Sequence, residues 1–174
     1  MRLAPLIAAL ALAGCQSAMQ SPDEMARATA QLQPTKGSKT VGEATFEDMG
    51  NGRVHVAVIV HKLKPNSEHG FHIHEVGDCS SGDGMSAGGH FNPLGKPHGS
   101  PTSAEHHAGD LPALKSDAHG TAKLDTTVSG ITVAPGPASI VGRGLVVHAD
   151  PDDYQTQPTG KSGARLACGV IQAG

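Results

Sequence analysis

Residues 53–61, Arg-Val-His-Val-Ala-Val-Ile-Val-His, alternate strictly, with Val54, Val56, Val58 and Val60 on one face and His55, Ala57, Ile59 and His61 on the other. A period of two is the mark of a half-buried strand, because successive side chains leave the backbone on opposite sides. Weaker versions of the pattern predict strands over residues 40–47, 70–74, 121–126, 140–148 and 164–171. Turn chemistry separates them at Asn51-Gly52, Lys64-Pro65-Asn66 and His119-Gly120. Residues 16–25 are polar and aperiodic and read as a tether, and a short helix over residues 23–30 is the one helical alternative. Evenly spaced strands without long helical patterns between them predict an all-β chain, an antiparallel sandwich or barrel.

Residues 75–120 break that rhythm. They contain almost nothing strand-like and are rich in Gly, Ser, Pro, His and Asp. So long a loop inside a compact domain needs something functional to hold it. The holding devices are Cys79 near its start and His90, His98, His107 and Asp110 along it. A metal and a disulfide would replace the core that this segment lacks.

Composition narrows the picture. At 174 residues and 37% hydrophobic content the chain has material for one domain with one modest core, built mainly from Val, Ile, Leu and Ala because only 2% is aromatic. Twenty-three glycines and 12 prolines fit loops better than helices. The formal charge of −3 comes without a basic patch, which excludes nucleic acid as an expected partner. The N-terminus reads as an export signal, with Arg2 ahead of an apolar run over residues 3–13 that is broken only by Pro5. That run is too short for a membrane span, which needs about 20 apolar residues. Leu12-Ala13-Gly14-Cys15 resembles a bacterial lipobox, which implies cleavage before Cys15 and lipidation of its thiol; the alternative is cleavage elsewhere with Cys15 discarded. Residues 1–14 are then a leader, 15–25 a lipidated tether and 26–174 the domain. The expected location is the periplasm, with the lipid as the only membrane contact. Gln16, in place of the aspartate that favours inner-membrane retention, points to the outer membrane.

With Cys15 carrying lipid, Cys79 and Cys168 remain as an even pair in an oxidising compartment, where a disulfide is expected. It would close roughly 90 residues, worth roughly 4 to 5 kcal/mol in the chain-entropy model. A thiol metal ligand is the alternative, but no Cys-x-x-Cys supports it.

The chemistry lies in the 11 histidines. His55, His61, His69, His106 and His119 carry no ligand motif and are assigned no role. His72 and His74 point the same way in a strand, about 6.6 Å apart, and can close on one ion. His90, His98, His107 and His148 join them in short motifs, most of them rich in glycine and proline, and Asp110 supplies a carboxylate.

Gly70-Phe71-His72-Ile73-His74-Glu75, Ser86-Ala87-Gly88-Gly89-His90-Phe91-Asn92-Pro93, His107-Ala108-Gly109-Asp110-Leu111, Gly142-Arg143-Gly144-Leu145-Val146-Val147-His148 and Arg165-Leu166-Ala167-Cys168-Gly169-Val170-Ile171 resemble, in order, the signatures of copper-zinc superoxide dismutases of the bacterial periplasmic, lipoprotein type. The resemblance covers most of residues 28–174. It implies an eight-stranded antiparallel Greek-key β-sandwich or flattened barrel with long metal-binding loops, and one copper and one zinc per chain. Copper is implied at His72, His74, His90 and His148, and zinc at His90, His98, His107 and Asp110, with His90 as a shared bridge. Imidazole suits both metals, and three histidines with a carboxylate make a closed tetrahedral zinc site. The implied activity is dismutation of superoxide to dioxygen and hydrogen peroxide by alternating reduction and oxidation of the copper, with His90 taking up and delivering a proton. Such an enzyme would protect the cell envelope.

The resemblance also implies that Asp152 links a copper histidine, His72, to a zinc histidine, His98, fixing both rings. Asp153 in the same acidic turn is the rival. Arg165 matches the arginine that binds the anion beside copper; its other reading is a hydrogen bond to the Cys79 loop, and both can hold together. The loop after His148 is acidic and offers only Lys161 ahead of Arg165, so electrostatic steering is expected to be weaker or differently sourced than in eukaryotic relatives. Cys79 follows Gly77-Asp78 directly, as in bacterial members. Because those relatives assemble through other faces than the eukaryotic homodimer, or stay monomeric, oligomeric state does not transfer.

Overall fold

The computed structural model describes residues 25–174. The leader, the lipobox with Cys15 and all but the last residue of the tether therefore lie outside the described residues. Ten strands follow in chain order: β1 (Arg27–Pro34), β2 (Val41–Asp48), β3 (Arg53–His61), β4 (Glu68–His69), β5 (Phe71–His74), β6 (Leu114–Lys115), β7 (Ala122–Ser129), β8 (Gly144–His148), β9 (Arg165–Val170) and β10 (Gln172–Ala173). One 3₁₀ turn, Met85–Ala87, is the only helical element among the described residues.

Eight strands form one antiparallel sheet in the order β5-β8-β9-β1-β2-β3-β7, with β10 added to β1, while β4 and β6 pair separately. After the β1-β2-β3 meander the chain crosses to the far edge for β5, returns for β7 beside β3 and crosses again for β8, as a Greek key requires. The sheet curls on itself. Phe46, Val54, Val56 and Val60 from one half share a core with Phe71, Ile73, Leu145 and Val147 from the other. The valine stripe of β3 is buried throughout.

Residues 27–34 form a strand rather than part of a helix. Ala28, Ala30 and Leu32 are buried at a period of two while their neighbours are exposed. Pairing of β1 with both β2 and β9 outweighs the helical preference of its alanines. Strand β8 begins at Gly144, later than the pattern over residues 140–148 predicts, because residues 140–143 turn into it.

Strands β5 and β8 are buried on both faces. Phe71, Ile73, Leu145 and Val147 enter the core, so the alternation sends His72, His74 and His148 to the outer face. That face is covered by the loop after β5 and the loop between β8 and β9. The first loop also closes the free edge of β5. Ile73 N donates to Gly109 O at 2.9 Å, Phe91 N to Ile73 O at 2.8 Å and Glu75 N to Gly89 O at 2.9 Å. Bridges then set Asp110 opposite His72 and His90 opposite His74. An otherwise unpaired edge strand is thereby satisfied, and two distant segments are brought to register beside it.

Candidate metal centre

Seven residues from five segments converge on the outer face of β5 and β8. His72, His74, His90 and His148 form one quartet and His90, His98, His107 and Asp110 another. In each, one ligand-type atom per residue lies within 4.8 Å of all the others. All seven residues are buried. A shift in the β8–β9 register between Val147 and His148 re-aims His148 at the end of its strand.

Hydrogen bonds leave one nitrogen of each ring in the first quartet unclaimed. His72 Nε2 faces Asp152 Oδ2 at 2.6 Å, His74 Nδ1 donates to Gly88 O at 2.9 Å, His90 Nδ1 faces Asp110 Oδ1 at 2.8 Å, and His148 Nδ1 lies 3.4 Å from Gly163 O. That leaves His72 Nδ1 and the Nε2 atoms of His74, His90 and His148. His72 Nδ1 and His90 Nε2 are buried without any partner. His74 Nε2 and His148 Nε2 stand 3.4 Å apart.

In the second quartet the nitrogens crowd the Asp110 carboxylate. His90 Nδ1, His98 Nδ1 and His107 Nδ1 lie 2.8, 3.1 and 3.5 Å from its oxygens. A tetrahedral ion with bonds of about 2.0 Å has ligand-to-ligand edges of roughly 3.3 Å, so these spacings fit an ion at the centre. Leaving buried ring nitrogens without partners is costly unless a metal takes them, and the two quartets supply such sets with His90 facing both.

The supports lie one layer out. Asp152 bridges the quartets, with Oδ1 2.9 Å from His98 Nε2 and Oδ2 2.6 Å from His72 Nε2. Asp153 instead accepts from the Gln155 and Thr156 amides and the Thr156 hydroxyl in an exposed turn. Gly160, at φ 62°, is obligatory here: a β-carbon would overlap Asp152 Oδ1 and come within 2.6 Å of His98 Nε2. Arg165 donates from Nη1 to Gly84 O at 2.5 Å and from Nη2 to Gly88 O at 2.6 Å, and lines a recess with His74 and His148. Its contact with the Cys79 loop and its place beside the quartet therefore coexist. Cys79 and Cys168 are disulfide-bonded, which ties that loop to β9.

Two supports escaped the sequence reading. His69, fully buried, donates from Nδ1 to the carbonyl of His148 at 2.9 Å. Its parity with Phe71 and Ile73, both inward-facing, was the available signal. Gln157 grips the His98 peptide, accepting from its amide at 2.8 Å and donating to its carbonyl at 2.9 Å. Nothing in the sequence pattern marks that contact. His55, His61, His106 and His119 join neither quartet.

The sequence model of the copper/zinc superoxide dismutase family matches residues 40–171. The chain belongs to that family. A curated relative, superoxide dismutase [Cu-Zn] 2 of Brassica juncea, is 44% identical over 153 residues, covering 84% of this chain and 97% of the relative. A crystal structure of the clock protein EA4 is similar at a TM-score of 0.77 and 38% identity, covering 88% of this chain and 98% of that one. The enzyme is accordingly a copper-zinc superoxide dismutase, with copper and zinc as its cofactors and superoxide as its substrate.

Without metal, burial pushes His74 down to about 2 and His148 well below its ordinary value. Burial likewise lowers His90 to about 4, against the pull of Asp110. His98 goes the other way: burial opposes its charge, but the carboxylates of Asp110 and Asp152 outweigh burial and raise it to about 9. Burial disfavours the charges of Asp110 and Asp152 too, yet hydrogen bonds from their histidine partners hold both carboxyls below the usual range.

The signs give a pH profile for the chelated protein. Histidines depressed below 6.5 are neutral in both states above that pH and contribute nothing there, but cost stability as pH falls below 6.5, each by about 1.4 kcal/mol per pH unit until its folded value is reached. The raised His98 stabilises fully below 6.5 and loses its contribution as pH rises through about 9. Thermal midpoints measured with chelator present are expected to peak near neutrality and to fall more steeply on the acid side. Zinc uptake is expected to release the His98 proton, so its apparent affinity rises about tenfold per pH unit up to pH 9.

Proposed function

We propose that the enzyme is a lipid-anchored dismutase of the bacterial periplasm that protects the cell envelope from superoxide. The domain would span residues 26–174, carried on a tether of residues 15–25 once a leader of residues 1–14 is removed. The Leu-Ala-Gly-Cys run ending at Cys15 and the position of Cys79 directly after Gly77-Asp78 support this reading.

His72, His74, His90 and His148 would hold copper, and His90, His98, His107 and Asp110 zinc. The observation that carries the assignment is the convergence of one ligand-type atom from every residue of each quartet, with buried ring nitrogens of His72, His90, His98 and His107 that make no hydrogen bond. When bound, copper supplies a one-electron couple that cycles between two superoxide ions, and zinc supplies fixed charge without redox chemistry.

The remaining work falls to side chains of this chain. Arg165 offers its guanidinium to the anion while the Gly84 and Gly88 carbonyls hold it in place. His90 can carry a proton on Nε2, because Asp110 fixes the other face of its ring. From there it donates that proton to the forming peroxide, a step general-acid groups typically accelerate 10² to 10⁴-fold. Asp152 fixes His72 and His98 at Nε2, which commits their Nδ1 atoms to the metals. Buried neutral His74 and His148 present ligands that need not lose a proton first.

Expression of the full chain with its export signal tests the anchor. Mass spectrometry is expected to find diacylglycerol on Cys15 as the first residue, with activity in the outer-membrane fraction. Cys15→Ser is expected to free the enzyme from that fraction at unchanged specific activity. An unmodified N-terminus elsewhere, with activity in the soluble fraction of the unaltered protein, would overturn the anchor and leave the dismutase intact.

A further inference from the structure

His74 and Arg165 converge on one backbone atom. His74 Nδ1 donates to Gly88 O at 2.9 Å, and Arg165 Nη2 donates to the same oxygen at 2.6 Å. That carbonyl belongs to the peptide unit joining Gly88 to Gly89. The N–H of the same unit donates to Glu75 Oε1 at 3.0 Å. A carboxylate, one peptide group, a ring of the first quartet and the arginine beside it therefore form one hydrogen-bonded chain.

The backbone holds this chain in register. Glu75 N donates to Gly89 O at 2.9 Å, and Arg143, stacked 4.3 Å from the Phe91 ring centre, donates from Nη1 to Glu75 O at 2.6 Å. Position 88 must stay bare for the carboxylate to reach the next amide. A β-carbon there would lie 2.6 Å from Glu75 Oε1, and its φ of +73° already favours glycine. Glu75 is exposed and belongs to neither quartet. Its charge is not spent on a cation either: the Lys and Arg ion pairs among the described residues are Arg27–Glu47 and Lys115–Glu68. The Gly89 amide is its hydrogen-bond partner.

We propose that Glu75 is a positioning residue that acts through the Gly88–Gly89 peptide, its charge polarising that unit so that one carbonyl grips both His74 and Arg165 more strongly. A hydrogen bond to an ionised acceptor is roughly twice as strong as a neutral one, and bonds in a chain polarise one another. Electron density pushed toward Gly88 O makes it a better acceptor for the His74 Nδ1 proton. A histidine whose second nitrogen is held that way is a more basic ligand through its first. Carboxylates usually reach such a ring directly, whereas here a peptide stands between. The proposal rests on His74 being a copper ligand.

The test measures Cu(II) affinity by chelator competition, the copper reduction potential by redox titration, and zinc content, all on the full chain loaded with zinc. Glu75→Ala is expected to weaken Cu(II) binding about tenfold, the low end for an outer support, with zinc retained. A tenfold loss confined to the oxidised ion raises the potential by about 59 mV. Azide, a singly charged anion followed by the copper absorption band, is expected to bind more weakly as the seat of Arg165 loosens. Glu75→Gln keeps an acceptor for the Gly89 amide without the charge, and about a threefold loss of Cu(II) affinity is expected. Asp78→Asn, in the same loop but bonded to the Ser80 amide, is expected to change neither quantity. Affinity and potential unaltered in Glu75→Ala overturn the proposal. So does full recovery in Glu75→Gln, which would make the contact geometric, or parallel loss of zinc and copper, which is distortion of the loop. Should Glu75→Ala fail to fold, Glu75→Gln decides alone. Unaltered protein that takes up no copper contradicts the quartet assignment and the relay with it, whereas normal uptake with unaffected variants overturns the relay only.

Discussion

His90→Ala is expected to abolish superoxide consumption and to empty both metal sites together. His90 is the one residue common to the two quartets, with Nδ1 2.8 Å from Asp110 Oδ1 and Nε2 buried and unpartnered. On the proposed assignment, removing the ring deletes a ligand from each ion and the proton carrier between them. It also leaves Asp110 buried beside His98 and His107 with one neighbour fewer. A rate loss on the order of 10³-fold or more is expected from the acid step and metal loss combined. Metal analysis separates this from other variants: His148→Ala should lose copper and retain zinc, whereas His90→Ala should lose both. Retained activity in both variants would refute the assignment.

Breaking the disulfide with Cys79→Ala/Cys168→Ala is expected to be the most destabilising change outside the quartets. The bond joins positions 89 apart, and the chain-entropy cost of opening such a loop is roughly 4 to 5 kcal/mol. At about 2 to 4 °C per kcal/mol for a chain of this size, calorimetry should show the midpoint falling by about 10 to 20 °C. Function is coupled to that loss. Gly84 and Gly88, whose carbonyls hold Arg165, both lie in the loop that Cys79 fastens to β9. Activity is therefore expected to become more sensitive to temperature than in the unaltered protein, and a midpoint within 3 °C of it would show that loop packing alone orders the segment.

The strands were legible where one face is buried and the other is not. The stripe of β3 reads off the sequence residue by residue, while β1 carries only alanines and one leucine inward, a weak apolar signal that competes with helix propensity. The convergence of the strand histidines was legible because strand parity and short motifs fix His72, His74 and His148 relative to β5 and β8. Asp152 and Arg165 were readable only through family resemblance, since their roles depend on loops that no periodicity describes. The contacts of His69 and Gln157 run between segments far apart in sequence, to backbone groups that every residue possesses. Such partners leave no compositional trace.

The most direct test is metal analysis and superoxide consumption on one preparation of the full chain, loaded with both ions. One copper and one zinc per chain, with a rate near the diffusional ceiling of 10⁸ to 10⁹ M⁻¹ s⁻¹, is the expected result. Zinc bound alone after copper loading, or both metals bound with no consumption of superoxide, would contradict it.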